Sequence, residues 1–373
     1  MKILYLENIR MPTDRAHGIQ IMKTCEALSR LGVEVELVVP TRENNIKKDP
    51  FLYYKVENNF TIKKIYSPDL VRFGKTGGIV QYIFFSFASL FYALNQKADI
   101  FYSRDELPIW FLGFFNKKVF WEVHNGKWNF LVSSLMKRCA GVVAISGGIK
   151  NFFKDKGVLE EKIIVAPDAV DIDDFYLNIK KEEARDRVKL PKNKKIVMYT
   201  GHLFEWKGAD TIGQVAKNFS NDYLFVFVGG TEKHIEDFKK RHLFDNKILM
   251  VGQKSHEEIP LYLKSADVLV IPNSAKEDVS RLYTSPMKLF EYMASGTPII
   301  ASDLPSIREI LDDDGAVFFK SDDSESLTKA IKKVFDNQTL ADKMASISRE
   351  NSKNYSWDKR AEKINSFLLK NGI

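Results

Sequence analysis

Tyr199-Thr200-Gly201-His202-Leu203-Phe204-Glu205-Trp206-Lys207-Gly208 follows the apolar run Ile196–Thr200 and leads into a helical pattern. An apolar, β-rich run, a glycine-bearing loop and then a helix make one repeat of a parallel α/β sheet. The loop then lies at the carboxyl end of its strand, where open sheets of this kind bind ligands. The same alternation extends in both directions. Downstream, strands are expected at Leu224–Val228, Ile248–Val251, Val268–Ile271, Ile299–Ala301 and Val317–Phe319. Upstream they are expected at Ile3–Leu6, Val33–Val39, Ile100–Tyr102, Val119–Val123, Val142–Ile145 and Ile163–Val165, with helices such as Ile19–Leu31 and Ser146–Lys156 between them. Near-continuous apolar runs suit parallel strands buried on both faces. The fold class is therefore α/β, with two Rossmann-like, doubly wound domains facing a central cleft.

Length supports two domains, because 373 residues exceed one ordinary core. The stretch Asp168–Lys195 is rich in charge, contains Pro191 and has no long apolar period, so it reads as a hinge followed by a helix. The expected domains are 1–175 and 176–354. A terminal amphipathic helix, centred on Trp357–Leu369 and allowed to occupy 355–373, is expected to pack back on the first.

Composition narrows the function classes. With 45% hydrophobic and 28% charged residues, a packed globule is expected rather than disorder. The two cysteines, Cys25 and Cys139, make neither a disulfide framework nor a metal cluster, which fits a reducing, cytoplasmic setting. The opening Met1–Leu6 run is too short for the apolar region of a signal peptide. Net charge is +7, carried in scattered pairs such as Lys47-Lys48, Lys63-Lys64 and Lys117-Lys118. With no zinc-finger or ribonucleoprotein pattern, nucleic acid is not an expected partner; a solvated lysine-rich surface is the leading reading, and an anionic membrane surface at the cytoplasmic face is the favoured partner. The strongly apolar Ile79–Leu94 is shorter than a membrane span and carries Gln81. It reads as a buried helix covering a sheet, with interfacial membrane contact as the other reading.

The richest chemistry lies in Thr284-Ser285-Pro286-Met287-Lys288-Leu289-Phe290-Glu291-Tyr292-Met293-Ala294-Ser295-Gly296-Thr297-Pro298. Ser285 suits a helix cap, Pro286 the first helical position, and Gly296 with Pro298 the helix end. Amides at a helix start beside a lysine make an anion site. Lys288 and Glu291 are one turn apart, so together they can hold a phosphate and a ribose diol. A capped helix with a surface Lys–Glu pair is the competing reading. In the loop after Thr200, Lys207 can neutralise a diphosphate and His202 can donate to it. In Asp14-Arg15-Ala16-His17-Gly18-Ile19-Gln20, Gly18 can present an amide to phosphate, or the loop is a plain helix start; no G-x-G-x-x-G is present. In Phe120-Trp121-Glu122-Val123-His124-Asn125-Gly126, His124 ends a strand, where it orients a hydroxyl or is a hydrogen-bonded core residue.

In order and spacing these pieces resemble the GT-B retaining glycosyltransferases of family four, the glycosyl transferases group 1. Glu291 followed by Met293-Ala294-Ser295-Gly296-Thr297-Pro298-Ile299 matches the end of that family's Glu–x₇–Glu helix, and Ser285–Ala294 matches its Ser-Pro-x-Lys-x-Phe-Glu-Tyr-Met-Ala subgroup. Ala144-Ile145-Ser146, Val165–Asp171 and Val270-Ile271-Pro272 extend the likeness over about residues 1–365. The resemblance implies that Lys207, Lys288 and the backbone of Ser285, Pro286 and Met287 bind a donor diphosphate, and that Glu291 holds the ribose. It places Gly18 against the phosphates, His124 as the catalytic-side group near the sugar, and the backbone at Gly252 and Gln253 at the base. His17 and Arg104 fall on the acceptor side. Two departures stand out: Tyr283 replaces the first glutamate, with Glu277 or Asp278 as conceivable substitutes, and His202 replaces an arginine.

The expected activity is transfer of a sugar from a UDP- or GDP-sugar to a hydroxyl of a glycan or lipid-linked acceptor in surface polysaccharide or glycoconjugate synthesis. The expected retaining step has the lysines stabilising the leaving diphosphate, which takes the acceptor proton, while domain closure excludes water. No cofactor and no metal are expected. Two further readings stay open: a GT-B nucleotide-sugar epimerase, and a non-catalytic binding or scaffold protein of the same fold.

Overall fold

The structure is a computed structural model that describes residues 1–242 and 246–372. Its chain divides into two units, one made of Met1–Asp168 with Trp357–Ile373 and the other of Ala169–Ser356. Residue 373, the end of the expected terminal helix, lies outside the described residues.

The first unit carries a seven-stranded sheet: β1 (Lys2–Leu6), β2 (Glu34–Pro40), β3 (Thr61–Ile65), β4 (Ile100–Ser103), β5 (Val119–Val123), β6 (Gly141–Ala144) and β7 (Ile163–Val165). Their order is β3-β2-β1-β4-β5-β6-β7, and every pairing is parallel. The order reverses at β1, which pairs with β2 on one side and β4 on the other. Chain leaving the carboxyl ends of β1 and β4 therefore diverges and leaves a crevice. The edge strand β3, TIKKI, was not anticipated: its two central lysines are exposed, and such charge protects an edge while hiding it from an apolar-run search.

The second unit carries six parallel strands: β8 (Lys195–Thr200), β9 (Tyr223–Val228), β10 (Ile248–Gly252), β11 (Val268–Ile271), β12 (Ile299–Ser302) and β13 (Val317–Phe319). Their order, β10-β9-β8-β11-β12-β13, reverses at β8. Within β8, Ile196 and Met198 face one core while Val197 and Tyr199 face another. A strand covered on both sides needs apolar residues at every position, which is why this run reads so clearly.

The stretch read as a hinge followed by a helix belongs to the second unit from Ala169 onward. Two short helices, Ile172–Phe175 and Lys181–Arg187, follow, and the second buries Arg185. Its guanidinium donates to the carbonyls of Ser265, Lys192 and Lys194 and pairs with Asp267 at 2.7 Å. The terminal helix Trp357–Gly372 belongs to the first unit, where the Phe367 ring meets Phe120 at 5.9 Å.

The apolar segment forms the helix Gly74–Leu94, but it is not the buried cover expected. Its inward face is Gly77, Gln81, Phe85, Ser86, Ser89, Leu90 and Ala93. Ile79, Ile83, Phe84, Phe87 and Phe91 point to solvent. Polar contacts explain the inversion: the buried Gln81 amide donates to Asn8 at 3.0 Å and to Ser67 at 3.1 Å, and Gln81 accepts from Arg42.

Candidate active site

In the second unit the strands β8 and β11 flank the point where the order reverses, and the loops that follow them are stitched together. Gly208 adopts φ +71°, and a Cβ there would lie 1.8 Å from the Pro272 carbonyl oxygen, so only glycine fits. The Trp206 carbonyl accepts from the Ser274 amide and the Ser280 hydroxyl, both at 3.0 Å. These contacts hold the intervening Lys207, whose ammonium lies 5.1 Å from the Trp206 ring centre. Burial draws the Lys207 ammonium below the usual lysine range, opposed by the charge of Glu291.

The helix of the richest motif runs Met287–Ser295, and its start differs from expectation. Pro286, not Ser285, is the cap residue, and no side chain caps the helix. The chain leaves a five-residue π-helical turn, Val279–Tyr283, extended at Thr284 and is still extended at Pro286, where ψ is 120°. The first turn then closes with the Leu289 amide donating to the Pro286 carbonyl at 2.8 Å. Helix starts leave their first amides without intrahelical partners, and the cap residue Pro286 makes no side-chain bond to them.

Lys288 and Glu291 are both buried, which rules out a surface ion pair. The Lys288 ammonium lies 4.1 Å from the centre of the Tyr199 ring and has no hydrogen-bond partner among the described residues. Burial, then the like charge of Lys207, pushes it well below the ordinary lysine range. Glu291 meets His256 Nε2 at 3.0 Å. His256 was not among the sequence candidates. It is brought to Glu291 across 35 positions by a turn opened by the Ser255–Glu258 capping box, and its ring lies 5.3 Å from Phe175. Tyr292 locks the helix to the strand, its hydroxyl accepting from the Thr200 amide at 2.7 Å.

The remaining second-unit candidates are less central. Gly252 ends β10 with φ +82°, its carbonyl accepting from Gly229, and Gln253 follows it exposed. His202 stacks on Phe204, centres 5.2 Å apart. Asp278 is engaged by Arg281 at 2.6 Å, and Glu277 lines a cavity of about 780 Å³ whose walls include neither Lys207, Lys288 nor Glu291.

In the first unit, the ends of β1, β4 and β5 enclose a cavity of about 320 Å³, lined in part by Glu7, His17, Arg104, Asp105 and His124. Beneath it lies a buried hub, Glu122, in mid-strand. Its carboxylate accepts from Gln20 and Tyr102, meets His124 Nε2 at 2.9 Å and pairs with Arg360 of the terminal helix at 3.0 Å. Burial acts to raise this carboxyl, but Arg360, His124 and Arg104 hold it well below the usual range. Because Nε2 donates to Glu122, Nδ1 is left as the acceptor and faces Arg104 at 3.4 Å. Burial, with Arg104 second, lowers His124 to about 4, and the same two causes lower His17 to about 4. Burial raises Asp105 to about 6.

Gly18 is used differently from expectation. Its amide donates to Arg15 at 3.0 Å, and a Cβ there would lie 2.2 Å from the Tyr54 hydroxyl. That hydroxyl accepts from the Thr13 amide and donates to the Thr13 carbonyl, both at 2.7 Å. Gly18 therefore makes room for a tyrosine clamp, and its own amide is already spent.

Comparison with known proteins covers both halves. Residues 180–351 match the family model described as Glycosyl transferases group 1, and residues 18–174 match that described as Glycosyltransferase Family 4. The O-antigen chain mannosyltransferase of Salmonella typhimurium is 25% identical over 280 residues, covering 74% of this chain and 69% of that protein. The sucrose-phosphate synthase of Thermosynechococcus elongatus shares the fold with a TM-score of 0.81 at 16% identity, over 99% of both chains. The Anabaena protein HepE, solved in complex with UDP-glucose, has a TM-score of 0.78 at 15% identity, over 99% of this chain and 100% of its own.

Proposed function

Because its two halves match these two models, the chain belongs to the GT-B glycosyltransferases of group 1 and family 4, and we propose that it is a retaining one. Its donor is a nucleoside-diphosphate sugar, with UDP or GDP as the nucleotide. Its acceptor is a hydroxyl of a glycan or lipid-linked sugar, in the assembly of surface polysaccharide or glycoconjugate. The similarity to an O-antigen mannosyltransferase and the UDP-glucose held by a protein of the same fold support this reading.

The observation that carries the donor assignment is the buried Lys288 ammonium, which has no hydrogen-bond partner among the described residues, beside Lys207 and one turn before Glu291. A buried cation without a partner is costly and gains most from a polyanion that arrives with its own oxygens. A diphosphate supplies these. Lys207 and Lys288 take its charge, and amides at the start of the Met287–Ser295 helix donate to it. Glu291, oriented by His256, accepts from the ribose hydroxyls. The backbone at Gly252 and Gln253 meets the base.

The chemistry follows from where charge develops. As the bond between anomeric carbon and diphosphate oxygen breaks, negative charge gathers between two lysines and a helix start, all in place beforehand. The departing phosphate oxygen takes the proton of the acceptor hydroxyl, which bonds to carbon on the face being vacated, so configuration is kept. The two lysines supply the positive charge a divalent metal would otherwise bring. We assign the cavity of His17, Arg104 and His124 to the acceptor side. There His124, neutral above about pH 5, orients a hydroxyl through hydrogen bonds shared with Arg104. Buried, unpaired Cys25 and Cys139 suit a cytoplasmic enzyme.

The direct test incubates the protein with UDP- and GDP-hexoses and short glycan or polyprenyl-linked acceptors, measures released nucleoside diphosphate, and reads the product anomer by NMR. An α-linked product from an α-linked donor is expected. A β-linked product would remove the retaining assignment, and absence of released diphosphate from every donor would remove the transferase reading of this site.

A further inference from the structure

We propose that the outer face of the Gly74–Leu94 helix docks the first unit onto an anionic lipid surface, with the helix lying in the headgroup plane. The helix is long and apolar enough to cross a membrane, yet its packing forbids that. The inward face is the polar one. Gln81 exchanges hydrogen bonds with Asn8, Ser67 and Arg42, and the Tyr82 hydroxyl accepts from the Leu107 amide at 3.1 Å. Spanning a bilayer would break these contacts and carry Gln81, Ser86 and Ser89 into hydrocarbon.

The outward face is the reverse. Positions 79, 80, 83, 84, 87 and 91 fall on one side of the helix, and all six are exposed large apolar residues, with Ile79 at 60% and Phe91 at 65%. Phe73, at 64%, and Tyr66, at 72%, extend the patch, the Tyr66 ring meeting Phe84 at 6.1 Å. A contiguous apolar face of this size is not an ordinary surface of a soluble unit.

Charge selects the occupant. From Lys63 to Lys97 the chain carries five cations, at 63, 64, 72, 75 and 97, against the single acid Asp69, a balance of +4. Asp69 is paired with Arg10 at 3.0 Å. The helix itself has no acidic residue. Lys63 lies over the Tyr92 ring and Arg72 over the Phe73 ring, which places cations beside aromatic groups, as at a headgroup boundary. A second copy of this chain would set +4 against +4 across the contact. An anionic bilayer satisfies the apolar face and the basic fringe together.

The test is flotation of the full chain, without nucleotide, on phosphatidylcholine vesicles with and without an equal amount of phosphatidylglycerol. It is therefore independent of the donor assignment. At low salt the wild type should float at least about tenfold more with the anionic vesicles, and less as salt rises. The double variant Phe87→Ser with Phe91→Ser removes two outer-face rings, of which Phe87 also packs on Phe111 with centres 4.7 Å apart, and should lose at least about tenfold of that binding. Lys63→Glu with Lys64→Glu should lose the preference for phosphatidylglycerol. Circular dichroism melts matching the wild type would show that both variants fold. An unbound wild type at low salt, or unchanged binding by the Phe87/Phe91 variant, would overturn the proposal. So would protein that survives an alkaline carbonate wash, which marks a spanning helix, or a dimer dissolved by the Phe87/Phe91 variant when vesicles do not bind.

Discussion

Lys288 has two opposed properties: its ammonium is buried over the Tyr199 ring at 4.1 Å, and no acceptor among the described residues takes its protons. Its folded-state pKa is depressed, by burial first and by Lys207 second. At pH values between the depressed value and that of the unfolded chain, the unfolded chain binds more protons. Stability therefore rises with pH across that window, and the charge costs most below it. Lys288→Met, close in length and uncharged, should stabilise the ligand-free protein by about 1–3 kcal/mol, most on the acid side of the window. The same change should weaken nucleoside-diphosphate binding about 10- to 100-fold, the worth of a charge-assisted hydrogen bond. Urea unfolding as a function of pH, and titration calorimetry, measure the two effects. Because a diphosphate restores the charge, binding should draw protons from the buffer in the wild type and fewer in the variant. His124 allows a second check at this scale. With its value lowered to about 4 by burial and Arg104, its ring protons should show no titration by NMR between about pH 5 and pH 8. A midpoint near neutrality would mean that the Glu122–His124–Arg104 arrangement is wrong.

At the scale of elements, two supports bear on the candidate site. Gly208 presses the β8 loop against the Pro272 carbonyl with φ +71°. Gly208→Ala should cost more than about 1 kcal/mol and move Lys207, lowering both the melting temperature and nucleotide affinity. The terminal helix holds the first-unit cavity through Arg360, which is buried against Glu122 at 3.0 Å. Arg360→Met would leave that carboxylate without its main cation, at a cost of about 3–5 kcal/mol. Glu122, held low in the wild type, contributes stability above the unfolded value that is lost only as pH falls through its depressed one. In the variant its pKa rises, so the loss should be smaller at about pH 5 than at about pH 8; equal losses would contradict this. The twelve strands legible in the sequence are apolar runs, the central ones buried on both faces, whereas the missed β3 is an edge whose run is broken by Lys63 and Lys64. The Lys207, Lys288 and Glu291 set was legible from the glycine-bearing loop after β8, the helix-start motif Ser285–Pro298 and the family resemblance both carry. Glu122 as a hub was not: its partners Gln20 and Arg360 come from helices far away in sequence, and nothing local marks them. His256 escaped for the same reason, and the start of the Met287–Ser295 helix was misplaced by one residue because the π-helical turn before it leaves no local signature.

For the whole molecule, the division of the chain after Asp168 and again before Trp357 gives each unit its own sheet and core. The proposed donor groups Lys207, Lys288 and Glu291 all fall in the second unit, so a nucleoside diphosphate should stabilise that unit directly. A ligand at 100 times its Kd adds about 2.7 kcal/mol to the unit that binds it. Chelation by EDTA should not reduce this stabilisation, since the lysines carry the diphosphate charge. The measurement that tests the central claim most directly is a thermal-shift panel of UDP, GDP, ADP and CDP on the wild type, Lys207→Ala and Glu291→Ala. The account predicts a clear upward shift of the wild type with UDP or GDP, unaffected by EDTA, and a much smaller shift in each variant with ligand-free melting preserved. Shifts of equal size in all three proteins, or no shift of the wild type with any of the four nucleotides, would contradict it.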